Sequence, residues 1–339
     1  TEIIEATKVW QEYGVFGQDV KLAIVDTGVD YAHPDLGLDI IARDEDGRPL
    51  IFDSDALGLA LTPITTTKNE TTKTIQITEP VLVFDPTGYA YKLPVGFVYY
   101  YDFSTGTEVY LEYPIDTWYV GNITSATGYY KFGLGVQFYY IYYGTYGIIV
   151  FTVPLLVTSS NGVTYDTVYA DLSTTWYYIS YALNATGYVV PMLPAPDFSF
   201  ADEKPVSYGD EITMLDINGD GLTDFSVGTL AGYVYDPYGI IELYKSGVLE
   251  QLVDEYGGIG FAPIWQFWTY DAIGYTYPGL DSEGDYVTLQ YDFVGHGTSC
   301  AATATAPATY SGLVGVAPEA KVAAAPALWL GDTIVAWLW

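Results

Sequence analysis

The sequence predicts an α/β fold whose parallel sheet is interrupted by a large β-rich insertion. Near the N-terminus, the apolar run Val20–Asp26 (VKLAIVD) stops at Asp-Thr-Gly, as a buried parallel strand stops at a loop. From about residue 286 the same α/β character returns. Between these stretches the composition changes: short runs of Tyr, Val, Ile and Thr alternate with turn signals such as Asp85-Pro86-Thr87-Gly88 and Ser159-Ser160-Asn161-Gly162. Regular spacing of this kind suggests a β-sandwich.

Glu5 to Tyr13 reads as a short helix ahead of the Val20–Asp26 strand. Phe132 to Tyr165 carries no charge and is long enough to cross a bilayer. It reads as strands, because Gly133, Gly135, Gly144, Gly147 and Pro154 interrupt it and Tyr, Val and Ile fill it. Pro191 to Pro205 reads as the exit linker. A helix is expected near Tyr244 to Tyr256, then a strand at Val287–Phe293, a helix of small residues at Thr298–Thr305, a strand at Lys321–Ala325 and an amphipathic helix running to Trp339.

The chain carries 11 basic and 42 acidic residues, a formal charge of −31. That excludes a nucleic-acid binder, which needs Lys and Arg on its surface, and favours attraction of cations. Cys300 is the single cysteine, so no intrachain disulfide exists and packing, metal or assembly must hold the fold. No signal peptide opens the sequence, and Thr1 reads as a processed terminus.

Two segments carry chemistry. Asp26-Thr27-Gly28-Val29-Asp30 is followed by His33-Pro34-Asp35-Leu36. Much later comes Gly295-His296-Gly297-Thr298-Ser299-Cys300-Ala301-Ala302, then Gly315-Val316-Ala317-Pro318-Glu319-Ala320-Lys321-Val322. These resemble, in order, the aspartate segment, the histidine segment and the G-V-A-P lead-in of the subtilisin-like serine proteases. An aspartic protease is excluded, because its D-T-G is not followed by H-P-D-L and only one such motif is present. The resemblance implies Asp26 and His296 as two members of an Asp-His-Ser triad, the histidine taking the serine proton and the aspartate fixing its tautomer. It implies a structural role for His33 and makes Asp35 a candidate calcium ligand.

The sequence departs from the family in two ways. Asp26 and His296 are separated by an insertion, resembling those of pyrolysin-like and surface-associated subtilases of heat-loving archaea. And no segment supplies the serine. Ser299 is not expected to serve, since it lies in the histidine segment on the same helical turn as the base. The chain therefore divides into residues 1–45 (aspartate segment), 46–200 (β-rich insertion), 201–285 (return segment) and 286–339 (histidine segment). It is expected to be inactive alone, with the serine on a continuation or companion chain and protein or peptide as substrate. Part of this expectation is that the final helix exposes Trp329, Trp337 and Trp339. The alternatives are an inactive pseudoprotease, or a non-enzymatic surface-layer or filament protein on a protease-derived scaffold, with a cell-surface protein as partner.

Asp216-Ile217-Asn218-Gly219-Asp220-Gly221-Leu222-Thr223-Asp224 fits a short calcium loop, with Asp216, Asn218, Asp220, the Leu222 carbonyl and Asp224 as ligands. Asp281, Glu283 and Asp285 form a further metal candidate. Asn69, Asn122 and Asn184 open N-x-Thr sequons, which with the Lys-poor composition suggest a secreted, extracellular glycoprotein.

Overall fold

The computed structural model describes residues 5–142, 146–261, 274–327 and 330–339. A short helix α1 (Ala6–Tyr13) leads to strand β1 (Lys21–Asp26), and β2 (Phe52–Asp53) follows. The middle of the chain forms β3 (Ile64–Thr66), β4 (Val95–Asp102), β5 (Glu108–Pro114), β6 (Tyr130–Ile141), β7 (Gly147–Thr158), β8 (Thr167–Ala170) and helix α2 (Leu172–Ala185). Next come β9 (Tyr233–Asp236), α3 (Ile240–Lys245) and α4 (Val248–Tyr256). The last elements are β10 (Tyr286–Gln290), α5 (His296–Thr305), β11 (Lys321–Pro326) and α6 (Leu330–Leu338).

The parallel layer joins the two ends of the sequence. β1 pairs in parallel with β11, from Lys21 opposite Lys321 to Asp26 opposite Pro326. A parallel bridge between Ile51 and Ala324 lays the β2 segment on the far edge of β11, and β2 pairs in parallel with β9. The four strands thus run β1–β11–β2–β9. Ala301 and Ala302 of α5 pack with Val29, Ile40, Val322 and Ala324, so alanines fill the space between helix and sheet. Small side chains on both surfaces let the helix axis come close to the strands, which fixes where its first residue sits.

A second layer is antiparallel, in the order β3–β6–β7–β4–β5, with β8 also paired to β7. β6 and β7 form a long hairpin, Lys131 opposite Val157 through Ile141 opposite Gly147. Ile149, Phe151, Val153 and Leu155 face one side and pack with Leu172, Ile179, Ala182 and Leu183 of α2. Phe132, Leu134 and Val136 face the other side, against Trp118, Phe200, Val81 and Val83. Both faces of the hairpin are covered, which explains why the stretch has no charged residue. Among the described residues no helix is long and apolar enough to cross a membrane.

Within the region 46–200, helix α2 covers one face of the main sheet. One expectation is corrected. The Tyr244–Tyr256 helix is split into α3 and α4 at Ser246-Gly247, where Gly247 takes φ 74°. Trp337 and Trp339 are both exposed, Trp339 while stacking on Phe52 at 4.7 Å; Trp329 lies outside the described residues.

Helix α2 begins among buried acids. Asp171 caps it, accepting from Thr174 N at 2.8 Å, and Glu203 accepts from Leu172 N at 2.6 Å. A cap is worth about 1 kcal/mol, less than the cost of burying an uncompensated carboxylate. Burial accordingly pushes Asp171 up to about 8 and Glu203 up to about 9. Acids with raised values stabilise the fold in their protonated form, so that contribution is complete below the ordinary carboxylate range and fades as pH climbs through about 8 to 9. The thermal midpoint is expected to fall between pH 5 and pH 9, and Asp171→Asn to flatten that slope. Equal slopes in the two proteins would show that these acids do not govern it.

Candidate active site

Asp26 is the last residue of β1, and His296 is the first of α5. Glycines beside them let the two segments touch backbone to backbone. Gly28 sits at φ 112°, and a Cβ there would lie 2.3 Å from the Tyr291 carbonyl oxygen. A Cβ on Gly297 would lie 2.0 Å from the Gly28 carbonyl oxygen. This close approach brings Asp26 Oδ1 to 2.7 Å from His296 Nδ1, across 270 positions of sequence. Thr27 N donates to the same Asp26 oxygen at 2.7 Å. The Asp26 side chain is 22 % exposed and that of His296 64 %, so the carboxylate is sheltered while the imidazole faces outward.

A third acid, not singled out from the sequence, organises the pair. Asp292 is buried. Its Oδ1 accepts from Thr27 Oγ1 (2.7 Å) and Gly295 N (2.8 Å), and its Oδ2 from Thr298 N (2.8 Å) and Thr298 Oγ1 (2.6 Å). Thr298 Oγ1 in turn accepts from Asp30 N at 2.9 Å, and Thr27 Oγ1 from Gly297 N at 3.1 Å. The Asp292 carboxylate thereby satisfies amide groups at the start of α5 and ties them to the residue after Asp26. Its only sequence signal is its place four residues before His296.

The hydrogen bond to Asp26, then the charge of Asp26, raise His296 above its ordinary value of 6.5, and Asp292 adds to this. Cys300 lies one turn along α5, its Sγ 3.8 Å from His296 Nδ1. Burial, then the charges of Asp26 and Asp292, raise its thiol, which disfavours the nucleophilic thiolate. Ligand atoms of Asp26, His296 and Cys300 all lie within 4.8 Å of one another. The Ser299 hydroxyl donates to the Gly295 carbonyl at 2.9 Å, back along its own helix.

The remaining candidates lie apart from this pair. Asp35 is buried and accepts from Ser311 N at 2.8 Å, a bond that holds its carboxyl below the usual range. His33 Nδ1 accepts from Asp35 N at 3.2 Å. In the 216–224 loop, Asp216 gathers the amides of Gly219 and Gly221 at 2.7 Å each, and Asp224 that of Ile217 at 2.8 Å. Asp220 Oδ1 accepts from Leu222 N, and Asn218 Oδ1 from Asp220 N. Asp281, Glu283 and Asp285 do converge, but lysines lie among them: Lys245 reaches Asp281 at 3.1 Å and Glu283 at 3.3 Å, and Lys131 reaches Asp285 at 2.9 Å. Asn69 and Asn122 are exposed. Asn184 spends its amide nitrogen on the carbonyls of Ser180 (2.8 Å) and Val190 (3.0 Å).

Two outcomes follow from this geometry. In an NMR titration, His296 is expected to titrate above 6.5 and to fall in Asp26→Asn; an unchanged value in the variant would remove Asp26 as the cause. The imidazolium–carboxylate pair stabilises the fold at low pH, and that contribution disappears as pH rises through the raised histidine value. Gly297→Ala is expected to cost about 1–3 kcal/mol in denaturant unfolding, since its Cβ has no space against Gly28. A neutral result would show that the two segments separate easily.

No curated protein and no solved structure matches the chain. The family model of the subtilases matches residues 17–336, which take in both the aspartate and the histidine segments and everything between them. With nearly its whole length matched, the chain belongs to the subtilase family of serine peptidases.

Proposed function

We propose that this chain supplies the aspartate and histidine of a secreted subtilisin-type endopeptidase, and that the nucleophilic serine comes from polypeptide beyond these 339 residues. The observation that carries this reading is the 2.7 Å contact between Asp26 Oδ1 and His296 Nδ1, with the imidazole otherwise facing outward. A carboxylate on Nδ1 fixes the tautomer that leaves Nε2 free to accept a proton. The serine hydroxyl would transfer its proton to Nε2 as its oxygen attacks the scissile carbonyl. The imidazolium, stabilised by Asp26, would then protonate the leaving amine, and water would hydrolyse the acyl-enzyme with the same base. Ser299 is not the nucleophile in this reading; its hydroxyl is bound to Gly295.

The sheet built of β3 to β8 is read as an insertion of the pyrolysin-like kind, supported by its place between the two segments. The 216–224 loop is read as a calcium site: Asp216, Asn218, Asp220 and Asp224 all fold into one exposed turn, and glycines at φ 78° and 87° close it. Calcium there would stabilise by mass action. The Asp281, Glu283 and Asp285 set is a poorer metal site, because two lysine ammonium groups already neutralise it. The sequons support an extracellular glycoprotein modified at the exposed Asn69 and Asn122, with Asn184 spared.

Fluorophosphonate labelling of the assembled native protein tests the proteolytic reading. Label is expected on a serine outside this chain, and His296→Ala is expected to slow labelling by at least about 10³-fold. Label on Ser299, or labelling indifferent to His296, would overturn it. For the loop, EDTA is expected to lower the thermal midpoint of the wild type, with little effect on Asp216→Ala. An EDTA-insensitive wild type would dismiss the calcium site.

A further inference from the structure

A pocket of about 330 Å³ opens beside the candidate active site, between the Asp26–His33 loop, the β6–β7 hairpin, α2 and the end of the 216–224 loop. Its wall is a continuous run of rings. Tyr291 and Tyr139 have centroids 5.3 Å apart, Tyr139 and Phe151 stack at 5.7 Å, Phe151 and Phe225 lie 6.5 Å apart, and Phe225 and Trp176 lie 5.2 Å apart. The charged lining is acidic: Asp30, Asp224 and Asp292 line the pocket, and among the described residues of the lining there is no lysine or arginine and His33 is the sole basic one. The Asp292 oxygens are committed to Thr27, Gly295 and Thr298. Asp30 Oδ1 takes the Ala32 amide at 3.0 Å. Burial of Asp30 beside Asp292 raises its carboxyl, and both acids bear on the Tyr139 hydroxyl.

We infer that this pocket binds an organic cation, a primary ammonium on a short alkyl stem, seated against the rings with its charge towards Asp30. Aromatic faces attract a cation through their quadrupole, most strongly where water is excluded, and the alkyl stem matches the apolar wall of Ile149, Ile179 and Leu183. A cation also adds to His33 in offsetting the neighbouring carboxylates of Asp30 and Asp292. A neutral apolar guest would leave Asp30 with only the Ala32 amide and His33, and an anion would meet Asp30 and Asp292. The same chemistry belongs to a lysine side chain in a polypeptide and to a free alkylamine. The site uses neither the Asp26 nor the His296 side chain, and it joins their network only through Asp292 and Asp30, which bond to Thr27 and Thr298.

The test uses this chain with three probes: n-butylammonium chloride, the blocked peptide acetyl-Gly-Lys-Gly-amide, and 1-butanol as the uncharged control. His33, at the pocket and one of only two histidines, reports by NMR, and Trp176 by fluorescence. A saturable response is expected for the ammonium probes, with 1-butanol at least about tenfold weaker. A peptide that binds about tenfold more tightly than n-butylammonium identifies the lysine side chain as the guest; equal or better binding of the amine identifies the free amine. Asp30→Asn and Phe225→Leu are each expected to weaken binding by about tenfold. Phe225→Leu keeps the test open if Asp30→Asn fails to fold. The inference is overturned if no probe saturates, if butanol binds as well as the ammonium, or if a folded variant binds like the wild type.

Discussion

Asp292 is one buried carboxylate with its oxygens shared between two distant pieces of chain. On one side it holds Thr27, the residue after Asp26; on the other it holds Gly295 and Thr298, around His296. Hydrogen bonds to an ionised group are worth about 1.5–3 kcal/mol each, and several converge here. The alternative for Thr298 is an unsatisfied buried amide, so the carboxylate has no inexpensive substitute. The Asp26–His296 distance is thus a consequence of this clasp together with the Gly28–Gly297 contact. Neither catalytic-type side chain has to hold the segments together itself.

The same constraint explains what could be read from the sequence. β1, α5 and β11 were legible because their patterns are local: an apolar run into Asp-Thr-Gly, a helix of small residues, and a strand after Gly-Val-Ala-Pro. Asp292 was not legible, since its importance lies in partners that are far away in sequence and only the fold assembles them. Helix α2 was missed because Thr174, Thr175, Trp176, Tyr177 and Tyr178 are residues that favour strands. Tertiary packing of Leu172, Ile179 and Leu183 overrides that preference. The one available cue was Asp171, three residues before Thr174, in the position of an N-cap.

The acidic composition serves more than one physical purpose. Some carboxylates are exposed and pair with lysines at the surface, as Glu70 does with Lys73 and Glu250 with Lys92. Others work inside the fold, where they hold amides: Asp292 at α5, Asp171 and Glu203 at α2, and Asp236 at α3, which takes the amides of Ile240 and Ile241. Aspartate is well suited to this, because its short side chain presents two acceptors close to the backbone. With few lysines and arginines available, the amides at helix starts become the partners of these internal carboxyl groups. In this respect the net charge of −31 overstates how much of the acidity faces water.

The pairing of β1 with β11 also sets a schedule for biosynthesis. Lys21 finds its partner in Lys321, three hundred residues later. At about 5–20 residues per second, a ribosome needs roughly 15–60 s to make that second strand after the first has emerged. During this interval β1 offers an unpaired edge, with Leu22, Ile24 and Val25 uncovered. The antiparallel sheet of β3 to β8 has its own nearby partners and can form while synthesis continues, as the β6–β7 hairpin illustrates. Asp26 and His296 can come together only once the start of α5 has been made, so the nascent chain carries no assembled charge pair until most of the sequence has been synthesised.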